Sequence, residues 1–153
     1  MDKEYVKKYI RELEKEQLID LFMSYLREEP EVIKIPVSIF EVNLSSLELI
    51  VKYLKEELGY SNKKIALLLK RSPQNIWITY RNARTKYPKR LPVRESDHDF
   101  PFKIITDTDL SVLEAIVEHL SDTLLAEEIA KLLHRSKKTV TTVHHRAKKK
   151  KFK

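Results

Sequence analysis

Ile65-Ala66-Leu67-Leu68-Leu69-Lys70-Arg71-Ser72 and Ile129-Ala130-Lys131-Leu132-Leu133-His134-Arg135-Ser136 are one pattern used twice, 64 residues apart. Upstream, Leu44-Ser45-Ser46-Leu47-Glu48-Leu49-Ile50-Val51 corresponds to Leu110-Ser111-Val112-Leu113-Glu114-Ala115-Ile116-Val117 at an offset of 66. The second copy is therefore two residues shorter in the turn around Gly59. The preceding stretches, Ile39-Phe40 and Ile104-Ile105, also correspond and read as extended. The duplicated unit spans about 50 residues, and two copies are too few for a solenoid.

Each copy reads as three helices. Ser45 with Glu48, and Ser111 with Glu114, fit the reciprocal capping box that starts a helix. Gly59, the chain's one glycine, suits a left-handed helix end. Short helices follow over about 62–70 and 126–134. Ser72 and Ser136 then cap a third helix, and Pro73 takes a first-turn position where a missing N–H costs nothing. Ala66 and Ala130 are small enough for a neighbouring helix to approach. Ten residues on, Ile76 and Val140 fill the angle, while Leu69 and Leu133 supply core. Two short helices joined by a tight turn, the second one basic, define a helix-turn-helix. One feature departs from the motif: Lys70 and His134 occupy the turn position where glycine is common.

Around these units the chain reads as mainly α. Residues 3–29 carry Val6, Ile10, Leu13, Leu18, Leu21, Phe22 and Tyr25 on roughly one face of a single long helix, ended by Pro30. Gln17 and Asp20 interrupt its heptad; pairing with a second chain is the expectation, packing on the first unit the alternative. From 31 to 42, Ile33, Ile35, Val37 and Ile39 alternate as in a short strand or arm, with Pro36 marking an edge. The expected division is an N-terminal helix over 1–30, a first unit over 31–87, a linker over 88–101 and a second unit with a basic tail over 102–153.

Composition narrows the function. A single glycine excludes Gly-rich phosphate and dinucleotide loops, and the absence of cysteine excludes disulfides, thiol catalysis and thiolate zinc. No apolar run reaches the roughly 18 residues of a membrane span, and the charged start, Met1-Asp2-Lys3-Glu4, does not read as a signal peptide. A cytoplasmic, nucleoid-associated location is expected. The formal charge is +7, and its distribution is uneven. Residues 58–94 hold ten Lys or Arg and no acid, and residues 129–153 hold ten more and no acid. The rest of the chain has ten basic residues against all 23 acids. Single-sign blocks on an acidic frame point to a polyanion partner.

No catalytic set emerges. Ser45 and Ser111 read as caps with no histidine placed to activate them, and Asp97-His98-Asp99 as a solvated connector. His144 and His145 point about 100° apart on a helix and chelate poorly, even with His134 nearby. No cofactor or metal is implied, and no small-molecule ligand is evident.

Both copies resemble the helix-turn-helix of the fourth conserved region of bacterial sigma factors and of LuxR-type response regulators. The Leu-Ser-x-Leu-Glu start, the Ile-Ala-x-Leu-Leu run and the Arg-Ser pair carry the likeness over about 45 residues of each copy. Ser136-Lys137-Lys138-Thr139-Val140 is similar to the recognition-helix entry of the LuxR group. The other sigma-factor regions are absent. The resemblance implies DNA contact from the first two positions after the cap, then the fifth, sixth and tenth.

Helical phase selects the residues independently. Ile76, Tyr80 and Ala83, and Val140, Val143 and Ala147, face the core. The opposite face then holds Gln74, Asn75, Trp77, Ile78, Arg81, Asn82 and Arg84 in the first copy. In the second it holds Lys137, Lys138, Thr141, Thr142, His145, Arg146 and Lys148. Trp77 reads as a surface or contact residue, with a core role the alternative. Gln and Asn can pair with adenine and Arg with guanine, so the first copy suits base reading. Lys and Thr suit phosphate contact, so the second suits affinity. The terminal lysines, from Lys148 onward, read as a frayed, phosphate-following tail. The expected function is sequence-specific binding of double-stranded DNA by a non-enzymatic transcription regulator. The alternatives are an adaptor that docks on the transcription machinery and a non-specific DNA coat. RNA binding lacks an aromatic stacking platform.

Overall fold

The computed structural model describes residues 3–27 and 32–152, and the chain divides into two compact units, Met1–Val32 and Ile33–Lys153. In the first unit the expected single helix is broken in two, α1 (Lys3–Glu12) and α2 (Lys15–Arg27). Gln17 causes the break: its side-chain oxygen accepts the Glu14 N–H at 3.0 Å. That bond terminates one helix and starts the next, because Leu18 N–H returns to Glu14 C=O at 2.9 Å. Tyr9, Ile10, Leu18, Ile19, Phe22 and Met23 remain exposed. The expected stop at Pro30 lies outside the described residues.

The second unit opens with a two-residue strand, β1 (Lys34–Ile35), antiparallel to β2 (Phe100–Pro101). The strand expected to run on to Val42 stops at Pro36, and Val37–Glu41 winds into a 3₁₀ turn instead. The cause is distant in sequence. Asp99 Oδ1 accepts the Val37 N–H at 3.0 Å, so that donor is taken from any ladder. The corresponding Ile104-Ile105 stretch is likewise helical, in the short α6 (Lys103–Thr106), not extended.

Six further helices follow the periodicity and capping signals: α3 (Ser46–Glu56), α4 (Asn62–Leu69), α5 (Pro73–Lys86), α7 (Val112–Leu120), α8 (Ala126–Leu133) and α9 (Lys137–Lys151). Ser45 and Ser111 form full capping boxes with Glu48 and Glu114. Gly59 adopts φ +70° just past α3, as its lack of a Cβ allows. α5 packs on α3 and α4, and α9 packs on α7 and α8. Ala66, Ile76 and Ala83 are buried at the first of these junctions; Ala130, Val140, Val143 and Ala147 are buried at the second. One hydrophobic core joins everything from Ile35 to Val143. Each fully buried Ile or Leu in it contributes about 1.5–3 kcal/mol of apolar transfer energy.

Residues 88–101, expected as the linker, are held along their length. Leu91 is buried. Ser38 Oγ donates to Pro92 C=O at 2.8 Å and accepts Arg94 N–H at 2.9 Å. Arg94 pairs with Glu41, and Arg90 with Glu57 at 2.9 Å. A further buried group is Lys52, with 0% exposure, whose ammonium donates to both Glu56 oxygens at 2.6 Å. Pairing at that distance offsets the large cost of removing a charge from water. Among the described residues no helix is long and apolar enough to cross a membrane.

Candidate nucleic-acid interface

The entrances to α5 and α9 are built alike. Lys70 and His134 both adopt the left-handed conformation, at φ 55°, ψ 45° and φ 51°, ψ 44°. Arg71 N–H reaches back to Ala66 C=O at 2.9 Å, and Arg135 N–H to Ala130 C=O at 3.0 Å. This six-residue closure satisfies helix-end carbonyls and reverses the chain. The left-handed turn is therefore made without glycine, and both side chains stay exposed. Ser72 Oγ and Ser136 Oγ then accept the Asn75 and Thr139 N–H groups, each at 3.1 Å, to open α5 and α9.

All seven residues selected on α5 are solvent-exposed: Gln74, Asn75, Trp77, Ile78, Arg81, Asn82 and Arg84. Trp77 is 48% exposed, and the Arg81 guanidinium lies 4.7 Å from the centre of its ring. The cation–π contact holds Arg81 along the outer face of the helix. Arg84 lies beside the Tyr80 hydroxyl, which burial and the neighbouring Glu56 push above the ordinary tyrosine range.

All seven residues selected on α9 are exposed as well. Their chemistry is partly occupied. The Lys137 ammonium donates to Glu127 Oε1 at 2.9 Å, and Lys137 holds the Glu127 carboxyl below its ordinary range. Thr141 and Thr142 donate their hydroxyl hydrogens to Lys137 C=O and Lys138 C=O, both at 2.9 Å. What these threonines can offer a partner is an acceptor lone pair and a methyl group. Lys138, Arg146 and Lys148 make no ion pair among the described residues. His145 is exposed, whereas His144 turns toward Glu118 at 3.5 Å. Among the described residues no group of three or more His, Cys, Asp or Glu is placed to hold a metal ion.

The terminal lysines are not a frayed tail as far as Lys151. Lys150 Nζ lies 2.8 Å from Glu114 Oε2, and Lys151 Nζ lies 3.0 Å from Glu118 Oε1. These acids on α7 hold the end of α9 helical. Lys86 does the same for α5 by reaching Glu48 at 3.1 Å. Burial raises the Glu48 and Glu114 carboxyls, but the cap N–H groups and the facing lysines outweigh it, so both sit below the ordinary range.

Three of the basic residues that helical phase alone did not select are informative. Lys63 and Lys64 are exposed in the first turn of α4, with the Lys64 ammonium 3.7 Å from the centre of the Tyr60 ring. The acid-free run over 58–94 was the signal that included them. The corresponding turn of α8 is different: it carries Glu127 and Glu128, and Leu125 replaces the capping serine. Arg135 is the third. Its guanidinium donates to Leu44 C=O at 2.7 Å, 91 residues away, and nothing in the local sequence announces that partner.

No protein-family model, curated protein or solved structure matches this chain.

Proposed function

We propose that Ile33–Lys153 carries a duplicated helix-turn-helix that binds double-stranded DNA, with α5 and α9 as the helices presented to the major groove. The observation that carries this reading is the exposed outer face shared by two similarly mounted helices. Each face lies in a sequence block that contains ten basic residues and no acid. A surface that only had to stay soluble would mix its signs. Amides and guanidinium groups on α5 have the donor–acceptor pattern that reads adenine and guanine edges, so the first unit supplies most of the specificity. Lysines on α9 suit phosphates, so the second supplies more affinity. Transcription regulation is the role proposed for such binding.

The test is selection of bound sequences from a random duplex pool, with affinity followed against salt. Sequence-specific recognition predicts an enriched motif. Uniform binding with a steep salt slope would make the protein a non-specific DNA coat. No binding at low salt would move the assignment to a protein-docking adaptor. Helices α1 and α2 are proposed to pair with a second copy, since six large apolar side chains on them are exposed. Sedimentation equilibrium checks that pairing: a mass near 18.2 kDa at tens of micromolar would remove it.

A further inference from the structure

We infer that the two reading heads are locked at one mutual spacing and orientation, so that the DNA site must have half-sites at one fixed separation, with Arg135 the positioning residue that sets it. The inference rests on the duplex-DNA reading and adds to it the geometry of the target. Two heads joined by a loose tether would accept many spacings, because a tether supplies only an effective concentration. Four observations oppose a tether. Helix α3 of the first head packs directly on α7 of the second. Helix α8 of the second head packs on the Val37–Glu41 turn that leads into the first. The segment between the heads is tied by the buried Leu91, by Pro92 and Arg94 to Ser38, and by Asp99 to Val37, and it contributes a strand to the β1–β2 pair. The core is continuous through both heads.

Arg135 makes the most direct link. It follows the left-handed His134 in the turn that aims α9. Its guanidinium donates at 2.7 Å to Leu44 C=O, the residue just before the Ser45 cap of α3. The turn of one head is therefore braced on the helix start of the other. A charge-assisted bond to a partly buried carbonyl is directional, so it restrains angle as well as distance.

Duplex DNA turns once per 10–10.5 base pairs, and each pair adds about 3.4 Å. Inserting about five pairs between half-sites puts them on opposite faces of the duplex. Inserting about ten restores the face but moves one half-site by roughly 34 Å. Locked heads lose affinity at both insertions, by about tenfold or more, because one head is forced off its bases. Tethered heads recover at the longer insertion.

The experiment measures affinity across this spacer series on the selected site, for the wild type and for Arg135→Ala. In parallel, spin labels at Thr85→Cys and Lys149→Cys report the α5–α9 distance; no native cysteine competes for the label. The expected result is one narrow distance and no recovery at the longer spacer. Arg135→Ala should broaden both the distance and the spacer profile. Recovery at the longer spacer, or a broad distance in the wild type, overturns the inference. An unchanged profile for Arg135→Ala removes that residue from the role. No duplex binding together with a narrow distance would refute the DNA reading, and the spacing rule with it, while the rigid mount would stand.

Discussion

Replacing Lys70 and His134 by glycine should stabilise the protein, and the amount follows from the backbone. Both residues sit at positive φ, 55° and 51°. There an L-residue's Cβ crowds the following carbonyl at a cost of about 1–2 kcal/mol. Glycine avoids that cost but loses about 0.5–1 kcal/mol more backbone entropy on folding. Neither side chain is buried, so little packing is lost. The turn bonds, Arg71 N–H to Ala66 and Arg135 N–H to Ala130, involve main chain alone and survive the change. The net gain is about 0.5–1 kcal/mol per site, and the sites share no partner, so the gains should add. Urea unfolding of Lys70→Gly, His134→Gly and the double variant measures this, with Lys70→Ala and His134→Ala as controls. Alanine keeps the Cβ and should give no comparable gain. If the glycine variants are no more stable than the alanine ones, the strain argument is wrong. The functional corollary has the opposite sign. Lys70→Gly removes an exposed charge beside the entrance to α5, so it should bind duplex DNA more weakly and with a shallower salt slope despite its greater stability.

Three further outcomes are expected. Glu127→Gln frees Lys137 and removes an acid from the entrance to α9; titration against salt should show tighter DNA binding and a log–log slope steeper by about 0.9. Asn75→Ala with Arg81→Ala should flatten sequence preference in the duplex selection; if Thr141→Ala with Thr142→Ala flattens it instead, the division of labour between the heads is reversed. Glu48 and Glu114 are held below the ordinary carboxylate range when folded, so their stability contribution is complete above that range and is lost as pH falls through their depressed values. Acid unfolding monitored by circular dichroism should therefore lose part of its pH dependence in Glu48→Gln and Glu114→Gln; an unchanged profile would mean the lowered values make no contribution.

What the sequence disclosed was local. The serine caps, the buried Ala66 and Ile76, and the buried Ala130 and Val140 follow from spacings of ten residues or fewer, within which helix geometry leaves little freedom. What it concealed was decided by partners far along the chain. Val37 leaves its strand because Asp99 takes its N–H. The segment over 88–101 has the polar, proline-containing composition of a connector, yet its hydrogen bonds to Ser38 and to the Val37 N–H hold it in place. The break after α1 was local but hidden for another reason: Gln17 reads as one more helix former until its side chain is seen to cap Glu14. At the candidate interface, exposure of the α5 and α9 residues followed from helical phase. The Glu127–Lys137 pair and the Arg135 brace did not, because each depends on how one helix is set against another.

The same packing explains the uneven charge. Four acids in or just after α3 and in α7 face the rear of the two basic helices and the segment behind them. Glu48 takes Lys86, Glu57 takes Arg90, Glu114 takes Lys150 and Glu118 takes Lys151. Lysines in the last turns of α5 and α9 are also favoured there by the helix dipole, so each pair holds a helix end already suited to positive charge. The effect is to neutralise the ends away from the serine caps and leave the capped ends basic. Glu127 is the exception, since it sits opposite Lys137 at the capped end of α9. On the DNA-binding reading proposed above, an acid in that position moderates the phosphate affinity of α9 and leaves α5 untouched.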